Sequence, residues 1–85
     1  MIQDSVLVEV YLPSALHTYE VRLPRGLNVY AASVLTGQAL ASLTDGMYKP
    51  TQRSFLCWRD TGARLPSKST VAEAGVVSGS RLMLV

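Results

Sequence analysis

One cysteine, one histidine, one tryptophan and one phenylalanine are all that this 85-residue chain holds of those residue types, and each scarcity excludes something. Cys57 alone forms no intrachain disulfide, and Cys57 with His17 is too small a ligand set for a zinc site. A reducing compartment suits that usage. A lone histidine beside a turn leaves a catalytic triad without an oriented base. Charge is also thin, with Asp, Glu, Lys and Arg at 16% of residues. The net charge of +2 comes from basic residues scattered between Arg22 and Arg81, never three in a row. That is solubilising surface rather than a phosphate footprint, so nucleic acid is not an expected partner. No carboxylates pair at helical spacing for acid–base work, and Gly62, Gly75 and Gly79 fit no phosphate-binding loop. Val29–Leu43 is too short to cross a bilayer, and Leu27–Leu35 lacks the Lys or Arg of a membrane-surface helix. Asp4 without a cationic lead is unlike a signal peptide. The chain is therefore expected to be a soluble, non-enzymatic protein with no cofactor, no metal and no membrane insertion of its own.

A hydrophobic content of 48% is enough for one core, and residues 1–85 read as a single domain. Val6, Val8, Val10 and Leu12 form one wholly apolar parity, so Val6–Leu12 reads as a strand with one buried face. After the Pro13–Leu16 turn, Tyr19, Val21 and Leu23 alternate with Thr18, Glu20 and Arg22, giving a hairpin. The period then changes. Leu27, Tyr30, Ala31, Val34 and Gln38 make a stripe on a helix, with Asn28 a candidate cap and Gly37 a candidate end or bend. Asp45-Gly46 stops it. Arg53–Arg59 suits a strand, Ala63–Leu65 a short return, Thr70–Ala74 one helical turn released at Gly75, and Arg81–Val85 a last strand. The order is hairpin, helix and returning strands, an α+β layer with the helix on one sheet face. Val8, Val10, Val21, Leu27, Val34, Phe55, Leu82 and Leu84 are the expected core.

The closing stretch Val71-Ala-Glu-Ala-Gly-Val-Val-Ser-Gly-Ser-Arg-Leu-Met-Leu-Val85 resembles the end of ubiquitin-like β-grasp domains. Within that fold it is similar to the ubiquitin-like proteins of bacterial type VII secretion, both the small YukD/EsaB proteins and the N-terminal domain of EccD. The resemblance implies a mixed sheet of four to five strands under one main helix. It implies a non-catalytic, cytoplasmic module, or the cytosolic domain of a membrane protein, docking on other secretion components. A covalent modifier or sulfur carrier is disfavoured because the last strand is not followed by Gly-Gly. The alternative is a generic β-grasp adaptor in another pathway; dimerisation stays open. Gly37–Gln52 departs from the family, leaving Leu40, Leu43 and Met47 without a counterpart.

Cys57 is expected to be a buried small hydrophobe rather than an activated thiolate between Arg53 and Arg59. The candidate site follows from strand parity. With Phe55 and Cys57 facing inward, Leu56 and Trp58 face outward beside Met83 and Val85, which makes those four the expected partner-binding patch.

Overall fold

The computed structural model describes residues 4–44 and 55–85; the expectations for Asp45-Gly46, Met47 and Arg53 fall outside them. In β1 (Ser5–Leu12) the apolar parity Val6, Val8, Val10 and Leu12 is buried, while Leu7 and Glu9 are exposed. Pro13–Ala15 turns as a 3-10 helix closed by Leu16 in the left-handed region, φ 50°. The chain returns as β2 (His17–Pro24), antiparallel to β1 with Val8 opposite Val21 and Val6 opposite Leu23.

Helix α1 (Val29–Leu43) begins at Asn28, whose side-chain oxygen accepts from Ala31 N–H at 2.7 Å. Two more unpaired donors of the first turn find partners in a distant loop. The N–H groups of Val29 and Tyr30 donate to the carbonyls of Ser69 and Ser67 at 2.8 and 3.2 Å, and Val71 N–H returns to Leu27 at 2.8 Å. All three leading donors are thus satisfied and the loop is fastened to the helix.

The helix differs from expectation in two ways. It runs straight through Gly37, and it buries Val29, Ala32, Ser33, Thr36, Gly37 and Leu40. Of the expected stripe, Tyr30 is 56% and Val34 42% exposed, and Leu27 is half-buried against the core. Small residues let the helix approach the sheet closely. Their hydroxyls are satisfied within the helix, Ser33 Oγ donating to Val29 O at 2.9 Å and Thr36 Oγ1 to Ala32 O at 2.7 Å. Burying them leaves no polar group unpaired.

Two short strands, β3 (Leu56–Trp58) and β4 (Arg81–Leu84), complete a sheet in the order β2-β1-β4-β3. β4 lies parallel to β1 and antiparallel to β3. The expected return strand Ala63–Leu65 is reduced to one bridge between Arg64 and Cys57. Thr70 and Glu73 form a reciprocal capping box: Glu73 N–H donates to Thr70 Oγ1 at 3.0 Å, and Thr70 N–H to Glu73 Oε1 at 2.9 Å. The Thr70 backbone N–H on the ionised carboxylate, and secondarily the Thr70 side chain, hold Glu73 below the usual carboxylate range.

Gly75 (φ 88°) ends that turn, with Val76 N–H reaching Val71 O and Gly75 N–H reaching Ala72 O. The paired bonds and the buried Val71–Val76 pair are a Schellman closure. Gly79 N–H then donates to Leu7 O, and Glu9 N–H to Ser80 O, which sets the parallel register of β4. The core between helix and sheet holds Val8, Val10, Val21, Leu23, Leu40, Leu82 and Leu84 among others.

Candidate docking face

Register decides which side chains share a surface. Leu56 lies opposite Leu84, Cys57 opposite Met83 and Trp58 opposite Leu82. Leu82 and Leu84 belong to the core, so Leu56 and Trp58 point into it as well. Leu56 is 1% exposed and Trp58 is half-buried against the core. The parity expected for this strand is therefore inverted, and Leu56 and Trp58 do not lie beside Met83 and Val85. Phe-Leu-Cys-Trp is apolar at both parities, so alternation held no signal there; the pairing with β4 decides it. Met83 and Val85 do face away from the core, half-buried and 46% exposed respectively.

The face opposite α1 can be read strand by strand. One row runs Thr18–Tyr11–Met83–Cys57, and the next runs Glu20–Glu9–Arg81–Arg59. Phe55 and Val85 exchange two backbone hydrogen bonds, at 2.9 and 3.1 Å, and extend the apolar part. Phe55 is thus on the outer face, not in the core where the sequence placed it. Tyr11, Phe55, Arg59 and Arg64 were missing from the sequence-derived patch. Tyr11 was legible in principle, since it shares the parity of Glu9.

Cys57 is buried, as expected, although it lies on the outer side of the sheet. Burial pushes its thiol pKa up, and the opposing pull of the Arg64 guanidinium is the lesser effect. The Sγ sits 3.5 Å from Met83 O, a weak donor contact. Arg64 lies 3.8 Å above the Phe55 ring centroid. Arg59 reaches across β4 to lie 4.5 Å above the Tyr11 ring and donates from Nη1 to Thr18 Oγ1 at 3.3 Å. Arg81 and Glu9 form an ion pair at 3.7 Å, exposed on both sides. Among the described residues no group of three His, Cys, Asp or Glu side chains could hold a metal ion. No described helix is long and apolar enough to cross a membrane.

The chain is similar in structure to the ubiquitin-like domain of EccD5 from Mycobacterium xenopi, with TM-score 0.79 and 20% identity over 98% of this chain and 94% of that one. It is similar to the ubiquitin-like domain of ECCD1 of the Mycobacterium tuberculosis type VII secretion system, with TM-score 0.74 and 16% identity over 98% and 99%. This is a ubiquitin-like β-grasp fold. It also matches part of a chain in the MycP5-free ESX-5 inner membrane complex, with TM-score 0.79 and 24% identity over 98% of this chain but 21% of that chain. No protein-family model and no curated protein matches the sequence. In this β-grasp the helix covers one sheet face, and the other carries the Tyr11–Met83–Phe55 surface with its two ring-stacked arginines.

Proposed function

We propose that the chain is a non-catalytic, ubiquitin-like interaction module of a bacterial type VII secretion system, docking non-covalently in the cytosol on other secretion components. The observation that carries this reading is the near-complete superposition on two EccD ubiquitin-like domains and on one segment of a chain in a secretion membrane complex. A sheet face with clustered aromatic, Met and Arg side chains supports it, because interfaces are enriched in those types. The test is co-purification. The tagged full chain, expressed in the cells that encode it, is recovered from detergent-solubilised membranes and its companions are identified by mass spectrometry. Enrichment of secretion-complex components over a tag-only control is the expected result; a recovery equal to that control overturns the reading.

A further inference from the structure

We propose that the outer sheet face receives an acidic, extended segment of a protein partner. Arg59 and Arg64 take two carboxylates, and Met83 and Val85 take the apolar side chain between them. This rests on the docking role above and specifies its chemistry.

The charge pattern points there first. Helix α1 contains no charged residue, whereas the outer sheet face and its edge carry Arg22, Arg59, Arg64 and Arg81 against Glu9 and Glu20. Arg81 is engaged with Glu9, and Arg22 donates to Ser5 Oγ at 3.2 Å. Arg59 and Arg64 have no carboxylate partner among the described residues, and each lies over an aromatic ring. A guanidinium stacked on a ring keeps the N–H donors of its edge available to a carboxylate; Arg59 gives one Nη1 N–H to Thr18 Oγ1 and presents its remaining donors. Stacking also fixes its orientation before any partner arrives, which lowers the ordering cost of binding.

Spacing defines the ligand. Tyr11 and Phe55 are two strands apart and offset by two residues along the sheet. Strand spacing and rise put their positions about 12 Å apart. In an extended segment, acidic residues at i and i+4 are about 13 Å apart and point the same way as i+2. An acidic–x–apolar–x–acidic segment therefore meets both arginines and sets its central side chain near Met83. Glu9 and Glu20 on the same face disfavour a continuous polyanion such as nucleic acid or an anionic bilayer.

The experiment is an NMR titration of the isotope-labelled full chain with the N-acetylated, C-amidated peptide Gly-Ser-Glu-Ser-Leu-Ser-Glu-Ser-Gly and its counterpart carrying Gln for Glu. The acidic peptide is expected to shift the Arg59 and Arg64 side-chain N–H signals and the Met83 methyl. Arg59→Gln and Arg64→Gln should each weaken it about three- to tenfold while keeping the parent's folded spectrum. Arg25→Gln, beyond the end of β2, should leave the affinity unchanged. Absence of binding, equal binding of the neutral peptide, an equal loss from Arg25→Gln, or equal displacement by anionic vesicles or polyphosphate overturns the proposal. The two readings separate cleanly. If the Arg59→Gln/Arg64→Gln double variant still co-purifies undiminished with secretion components, this inference fails and the secretion role stands. If the peptide binds as described but nothing co-purifies, the secretion role fails and the surface stands.

Discussion

Leu56 and Trp58 illustrate how much rests on single positions in so small a core. Both join the far edge of the sheet to the interior, Leu56 fully and Trp58 in part. Leu56→Ala should cost about 2–4 kcal/mol through lost burial and a cavity. Trp58→Ala should cost about 2–3 kcal/mol, acting on folding rather than on a binding surface. Urea denaturation of the two variants measures both. Cys57 should react with a small thiol reagent far more slowly in the native chain than in the unfolded one, because its thiol is buried and its pKa raised; equal rates would contradict the burial. Glu73 gives a pH signature. Its pKa is lowered in the folded state, so its contribution is present above the ordinary carboxylate pKa and is lost as pH falls through the lowered folded value. Glu73→Gln removes the titrating carboxylate and should flatten that part of the stability–pH curve, followed by denaturation midpoints from about pH 6 down to about pH 3. Thr70→Ala keeps the backbone N–H that is the larger cause and should flatten it only in part.

At the scale of elements, helix α1 buries small and hydroxylated residues between Val29 and Leu40 and leaves large apolar ones such as Tyr30, Val34 and Leu35 outside. Ala32→Leu, on the buried face, should destabilise by about 1–3 kcal/mol through overpacking. Val34→Ser, on the exposed side, should change stability by less than about 0.5 kcal/mol. Thermal or urea unfolding of the pair tests which face is inward. That arrangement explains what the sequence could and could not convey. The hairpin was legible because Glu9, Glu20 and Arg22 mark the solvent parity of both strands. The Gly75 and Gly79 turns were legible because only a few residues suit their backbone. The helix face was not, since Tyr30 and Val34 are as apolar as Val29 and Leu40 and no charge marks the outside. β3 failed for the same reason, and with it the expected orientation of Leu56 and Trp58; the outward orientation of Met83 and Val85 was legible because Arg81 marks the solvent parity of β4. Gly75→Ala tests the turn itself. A Cβ there meets nothing within 4 Å, so the expected loss of roughly 1–2 kcal/mol comes from left-handed backbone alone.

Over the whole molecule, the two large surfaces have opposite characters. The helix side is uncharged along α1, and the sheet side carries arginines and glutamates in rows. Binding on the sheet side should weaken as salt rises, since its charges are exposed, while any contact through α1 should not. Titrations at low and high ionic strength with the acidic peptide measure the first of these.

The parallel pairing of β1 with β4 also bears on how the chain is made. Val10 lies beside Leu82, and among the described strands β3 has no neighbour but β4. On a ribosome the hairpin and helix emerge first, with the third position of the sheet still empty and β3 without a strand to join. Local contacts cannot fill that gap, and closing so long a loop is slow. One of the two interior strands, β4, comes after the other three strands in the chain, so the sheet completes only once residues 81–84 are free of the exit tunnel.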